Sequence, residues 1–111
     1  MTLSIDVRDA DGWQVVAVSG EIDIRTAPQL RERLNAVLDE GVTKLIVDLE
    51  GVDFMDSTAL SVMVGAHKRL QRAGSGLVLV CTRPQLLRVL DLTGLSRVFT
   101  VHDELAGALG S

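Results

Sequence analysis

The sequence predicts one α/β domain over residues 1–111, built on a mixed, mostly parallel sheet of four to five strands with about four helices. Three observations predict this fold class. An alternating strand pair joined by a turn opens the chain. Nearly continuous apolar runs follow, which are typical of strands covered on both faces. Segments with helical periodicity separate these runs. The resulting order, β-β-α-β-α-β-α-β-α, implies parallel strands joined by right-handed crossovers.

Five segments have the residue pattern of strands. Leu3, Ile5 and Val7 alternate with polar residues, which indicates a half-buried strand. Asp11 and Gly12 then form the strongest short hairpin signal, so the first two strands should pair antiparallel. The predicted strands cover residues 3–8, 13–19, 44–49, 77–80 and 97–101.

Four segments have the pattern of helices. Thr26 is placed to be the N-cap of the first helix, with Pro28 in its first turn and Gly41 at its end. The same start chemistry recurs at Thr82, and Gly94 is placed to end that helix. The two remaining predicted helices cover residues 57–73 and 103–109.

Composition and charge exclude several classes of function. The net charge of −4 argues against a nucleic-acid surface, which needs clustered Lys and Arg. The aromatic content of 3% leaves no stacking platform for single strands. Uninterrupted apolar runs are too short for a membrane span, and the N-terminus lacks the order of a signal peptide. We therefore expect a cytoplasmic protein that binds neither nucleic acid nor membrane.

Catalysis, a metal site and a cofactor are not expected. Ser57 has no general base near it in the sequence, because His67 lies ten residues further on and belongs to an apolar stripe. Cys81 ends an apolar strand and is expected to be a small core residue. His67, Cys81 and His102 lack the spacing of metal ligands.

The residues that carry chemistry gather where the third predicted strand meets the helix predicted over residues 57–73. Asp53, Asp56, Ser57 and Thr58 lie within six positions, although a helix start needs only one polar cap, either Asp56 or Ser57. Asp23 follows the second strand. If the second and third strands are parallel neighbours, Asp23 and Ser57 share one edge of the sheet. The alternative is that Asp23 is an ordinary loop residue.

Three blocks of the sequence resemble one family over essentially the whole chain. GEIDIRTAPQL, KLIVDLEGVDFMDSTALSVMV and LLRVLDLTGLSRVF resemble the STAS domain of anti-sigma factor antagonists, which are bacterial partner-switching proteins. The resemblance implies a single STAS-type domain. It also implies that an anti-sigma factor with serine kinase activity phosphorylates Ser57. The block departs from the family pattern at Ala59 and Ser61, where the family usually has glycine.

The resemblance implies a regulatory cycle with two partner enzymes. The unmodified form is expected to bind the kinase and release a sigma factor, phosphorylation is expected to end binding, and a serine phosphatase is expected to restore it. The residues expected at the partner surface are Asp23, Ile24, Asp56, Ser57, Thr58 and Leu60. The alternative is a stand-alone STAS subunit of a bacterial lipid-transport ABC system.

Two further expectations concern the acidic residues of this region. Asp23, Asp53 and Asp56 together should make the surface around Ser57 strongly negative. If Asp23 belongs to the partner surface and not to the core, Asp23→Ala should leave the melting temperature almost unchanged.

Overall fold

A five-stranded sheet in the order β1-β2-β3-β4-β5 organises the computed structural model, which describes residues 3–111. β1 pairs antiparallel with β2, and the pairs β2–β3, β3–β4 and β4–β5 are parallel. The predicted mixed, mostly parallel sheet is therefore confirmed. The strands are β1 (Ser4–Ala10), β2 (Trp13–Ile22), β3 (Leu45–Met55), β4 (Val78–Val80) and β5 (Thr100–His102).

Four α-helices are present in residues 3–111, in the predicted alternating order. They are α1 (Ala27–Asp39), α2 (Ser57–Arg72), α3 (Pro84–Leu92) and α4 (Leu105–Leu109). The main core joins the buried faces of α1, α2 and α3 to one face of the sheet. α4 covers part of the opposite face, where the indole Nε1–H of Trp13 donates to the carbonyl oxygen of Leu109 at 3.1 Å.

The turn between β1 and β2 has the geometry that its two residues favour. Asp11 and Gly12 have φ values of 51° and 85°, so both adopt the left-handed conformation that a two-residue hairpin turn requires. Ala10 and Trp13 flank the turn as a pair of strand residues. The predicted hairpin is confirmed.

One predicted helix cap, one expected capping bond and one predicted strand differ from the structure. α3 has Arg83 as its N-cap, because the Thr82 hydroxyl instead donates to Oε2 of Glu50 at 2.7 Å. Thr26 occupies the N-cap position of α1, but its hydroxyl donates to the carbonyl oxygen of Glu21. The strand predicted over 97–101 begins only at Thr100, since a 3₁₀ helix over Leu95–Arg97 replaces its start.

β3 is much longer than the predicted segment 44–49 and continues to Met55. Its pairing with β2 shifts register twice, between Ala17 and Ser19 and between Gly20 and Glu21. Each shift leaves an extra residue in β3, which is the signature of a β-bulge. The bulges therefore carry β3 into the polar segment that leads to α2.

No α-helix within residues 3–111 has both the length and the apolar character needed to cross a membrane.

The first bulge predicts a specific intolerance at Gly51. An alanine Cβ there would lie 2.5 Å from Oγ of Ser19 and 3.0 Å from the carbonyl oxygen of Val18. The serine side chain can rotate away, but the carbonyl belongs to the paired backbone of β2. We expect Gly51→Ala to lower the free energy of unfolding by about 1–3 kcal/mol, the usual cost of overpacking. Urea denaturation measures this change.

Gly65 supplies the matched control, because it lies inside α2 with nothing within 4 Å of an added Cβ. Gly65→Ala should raise the stability by up to about 1 kcal/mol through helix propensity alone. Equal effects of the two substitutions would contradict the packing argument for Gly51.

Candidate functional site

The end of β2 and the start of α2 lie side by side at one edge of the sheet. Ile22 pairs with Met55, and the backbone N–H of Asp56 donates to the carbonyl oxygen of Ile22 at 3.2 Å. The condition set by the sequence, that the second and third strands are parallel neighbours, is therefore met. The structure brings the Asp23 loop next to the segment that contains Ser57.

Asp56 is the N-cap of α2. Its backbone is extended, and its Oδ1 accepts from the backbone N–H of Thr58 at 2.9 Å. The hydroxyl of Thr58 donates to the same carboxylate oxygen. Of the two capping residues that the sequence allowed, Asp56 performs the role and Ser57 does not.

Ser57 is the first residue of α2, and it is exposed. Within residues 3–111 its hydroxyl makes no hydrogen bond, while its carbonyl oxygen accepts from the hydroxyl of Ser61 at 3.2 Å. Thr58, by contrast, is half-buried and its hydroxyl is occupied by Asp56. Ser57 therefore offers the free hydroxyl at a helix N-terminus, where the helix dipole favours negative charge.

The carboxylate of Asp23 organises the loop between β2 and α1. It accepts from the backbone N–H of Arg25 at 2.9 Å and from the Arg25 guanidinium at 2.8 Å, and it is only 16% exposed. The backbone N–H of Asp23 in turn donates to the hydroxyl of Thr26. The guanidinium bond first, and the backbone bond next, lower the pKa of Asp23 to about 2.

Because of these contacts, Asp23→Ala should lower the stability, contrary to the expectation that it leaves the melting temperature almost unchanged. Removing the carboxylate leaves the backbone N–H of Arg25 and the 3.3 Å contact from Thr26 without their acceptor. Asp23 is thus an ordered loop residue and, at the same time, a neighbour of Ser57.

The surface around Ser57 is less negative than the sequence suggested. Arg25 pairs with Asp23, and Nη1 of Arg83 lies 3.4 Å from Oδ1 of Asp53. Two of the three counted carboxylates therefore have an arginine partner. The expectation of a strongly negative patch was wrong because the partners come from the loop itself and from the start of α3.

Exposed apolar residues lie at the ends of β2 and β3. Ile24 is 73% exposed at the tip of the Asp23 loop, and Phe54 is 49% exposed just before α2 begins. Sequence reasoning missed Phe54, because the second bulge that turns it outward gives no signal in the residue pattern. Leu60, expected at the partner surface, is only 7% exposed.

An open groove of about 440 Å³ runs between α2 and the segment that follows α3. Leu60, Val64 and Leu95 give it an apolar lining, and Lys68 adds a positive charge. Leu60 is therefore accessible only from inside this groove. No residue pattern indicates this groove, since its two sides lie some thirty residues apart in the chain.

The remaining nucleophilic and metal-binding residue types lie elsewhere. Nδ1 of buried His67 accepts from the backbone N–H of Leu77 at 3.0 Å, and its ring packs edge-on against Phe99. Burial raises the pKa of the Cys81 thiol, which keeps it protonated. Residues 3–111 contain no group of three or more His, Cys, Asp or Glu side chains arranged to hold a metal ion.

Comparison with known proteins agrees with this architecture. The STAS domain model matches residues 4–108. An anti-sigma-B factor antagonist from Listeria monocytogenes is 40% identical, over 93% of this chain and 91% of its own length. An anti-sigma-B factor antagonist from Bacillus subtilis is 34% identical over 98% and 99%.

A solved structure gives the same result. The crystal structure of an anti-sigma factor antagonist from Mycobacterium paratuberculosis superposes with a TM-score of 0.92 at 35% identity, covering 98% of this chain and 92% of that one. The fold and the site thus define an α/β domain with a mixed five-stranded sheet and an exposed serine at the start of α2. The chain belongs to the STAS domain family.

The lowered pKa of Asp23 predicts a pH-dependent contribution to stability. Because its pKa falls from 3.8 to about 2 on folding, the contribution is present above 3.8 and is lost as the pH falls towards 2. Asp23→Asn keeps one acceptor but loses the charge. The difference in melting temperature between wild type and Asp23→Asn should therefore shrink across this window. A constant difference would show that the ionised carboxylate does not stabilise the loop.

The assignment of the cap predicts unequal effects for neighbouring residues. Asp56→Ala removes the acceptor for the Thr58 N–H and should cost about 0.5–2 kcal/mol. Ser57→Ala breaks no hydrogen bond of the folded protein and should stay within about 0.5 kcal/mol of wild type. Chemical denaturation of both variants tests this, and a larger loss for Ser57→Ala would overturn the assignment.

Proposed function

We propose that this chain is an anti-sigma factor antagonist whose unmodified form binds an anti-sigma factor with serine kinase activity and so releases a sigma factor. The observation that carries the proposal is the exposed, unbonded hydroxyl of Ser57 at the start of α2, beside the ordered Asp23 loop. The names of the relatives described above support the same role. The chain acts as a binding protein in the cytoplasm and needs no cofactor of its own.

Ser57 is the phosphate acceptor in this proposal because the other hydroxyls nearby are engaged. Phosphorylating Thr58 would remove a hydroxyl that donates to the capping carboxylate of Asp56. Phosphorylating Ser61 would break its bond to the Ser57 carbonyl within the helix. A phosphate on Ser57 breaks no hydrogen bond and gains from its position at the helix N-terminus.

The modification has a balanced chemistry supplied by the partners. The kinase transfers the γ-phosphoryl group of ATP to Oγ of Ser57, so the new O–P bond replaces the bond to ADP, and the hydroxyl proton leaves to a base of the kinase. The phosphatase hydrolyses the phosphoserine with water. The STAS domain itself supplies only the accessible hydroxyl.

Loss of binding follows from the surface and not from refolding. A phosphate adds about −1.5 to −2 charges and three acceptor oxygens at one point. A partner surface that fits the unmodified Ser57 and the exposed Ile24 must then accommodate both the bulk and the charge. Burying that charge without a partner cation costs several kcal/mol, so the interface opens.

Calorimetric titration against the kinase tests the proposal. Wild type and Ser57→Ala should bind with similar affinity, whereas Ser57→Asp should bind at least about tenfold more weakly, or about 1.4 kcal/mol. Ser57→Ala and Ser57→Asp should both resist phosphorylation, because neither side chain keeps the acceptor hydroxyl. Ser61→Ala is the matched control, because this exposed serine lies one turn further along α2 and should leave both binding and phosphorylation intact.

Two results would overturn the proposal. Equal affinities for all four proteins would leave Ser57 a surface residue without a role in partner choice. Recovery of a lipid-transport ATPase, and of no kinase, in a pull-down from the native host would favour the alternative STAS subunit. Intact-mass analysis of the protein from that host reports whether Ser57 carries phosphate.

A further inference from the structure

β1 forms one open edge of the sheet. It pairs only with β2 among the strands of residues 3–111, and it does so over seven consecutive residue pairs without a register shift. It contains no proline and no bulge, two of the devices that usually keep an edge from pairing. Its outer side is therefore a regular row of backbone donors and acceptors.

The hairpin register determines which backbone groups face outward. In a hairpin closed by a two-residue turn, the flanking pair, here Ala10 and Trp13, exchanges hydrogen bonds, and the pairs then alternate along the ladder. Ile5, Val7 and Asp9 consequently point their N–H and C=O groups away from β2. The side chains of Ile5 and Val7 are only partly buried at the margin of the core.

The charges on β1 are self-complementary about Val7. Asp6 and Arg8 are both exposed, and neither takes part in an ion pair within residues 3–111. When a second copy pairs antiparallel with Val7 opposite Val7, each Asp6 lies opposite the Arg8 of the other copy. These are non-hydrogen-bonded pairs, in which opposite side chains approach most closely.

The neighbouring symmetric registers are unfavourable. Centring the pair on Asp6 places two aspartates opposite each other, and centring it on Arg8 places two arginines opposite each other. The register centred on Val7 also pairs the outward groups of Ile5 with those of Asp9. We propose that β1 is a homodimerisation edge, which binds a second copy of this chain by antiparallel pairing about Val7.

The dimer joins two sheets into one of ten strands with a two-fold axis at Val7. Ser57 follows the carboxyl end of β3. Because the two copies of β1 run in opposite directions, the two Ser57 sites lie at opposite ends of the strands in the joined sheet. Both sites remain open, and the dimer presents two of them. This inference does not depend on the proposed function.

Sedimentation velocity over a range of protein concentrations tests the proposal. Wild type should show a monomer–dimer equilibrium. Asp6→Arg and Arg8→Asp should each raise the dimer dissociation constant at least about tenfold, because each places like charges opposite each other. An equimolar mixture of the two variants should regain dimers, since every opposed pair is then oppositely charged.

Asp103→Arg is the matched control, since this exposed residue lies off the edge and its substitution changes the net charge as Asp6→Arg does. It should dimerise as wild type does. Circular dichroism checks that each variant is folded. A further measurement needs only the wild-type protein. Hydrogen exchange at the Val7 amide should slow as the protein concentration rises.

The proposal fails if wild type remains monomeric at every concentration, or if the mixture of variants stays monomeric. It also fails if wild type dimerises without protection of the Val7 amide, because the interface then lies elsewhere on the molecule.

Discussion

The parallel pairing of β2 with β3 is the constraint on which the rest of the site depends. Its last bond, from the Asp56 N–H to the Ile22 carbonyl, joins residues that are far apart in the chain. Ile22 and Met55 are buried beneath this point and anchor both strand ends in the core. The Asp23 loop and the start of α2 therefore leave the same rigid edge, and their relative position needs no contact with a partner to define it.

Local hydrogen bonds occupy most of the polar side chains at this edge of the sheet, and these side chains hold the backbone in place. Asp56 caps α2, and Asp23 holds its own loop through Arg25. Thr58 is held by the cap. Ser57 alone of these side chains has no role in holding the backbone. The redundancy seen in the sequence is thus largely structural, and Ser57 is the residue of this group whose hydroxyl stays exposed and unbonded.

The sequence predicted the order of strands and helices along the chain and the hairpin, because both depend on residue periodicity or on turn residues. It predicted that Asp23 and Ser57 share one edge only on the condition that the second and third strands are parallel neighbours, which the structure meets. It did not predict the bulges in β3, the ion pair of Arg83 with Asp53 or the bond from Thr82 to Glu50. Those features depend on side chains some thirty residues apart, or on backbone irregularities that no local pattern encodes. Thr26 is the N-cap of α1 as predicted, but its hydroxyl donates to the carbonyl oxygen of Glu21 and makes no capping bond. The prediction of Thr82 as a cap was wrong, because its hydroxyl donates to the carboxylate of Glu50.

The separation of roles around Ser57 has a consequence for regulation. Met55, Ala59 and Met63 lie buried directly behind this segment, and the free hydroxyl contributes no bond to them. A charge added at Ser57 would therefore break no hydrogen bond of the fold, whereas a surface placed against it would have to accommodate both charge and bulk. A modification can shift an equilibrium only by its differential free energy between the two states. For the phosphorylation proposed above, that difference would lie between bound and free protein, so the partner, and not the fold, would detect the change.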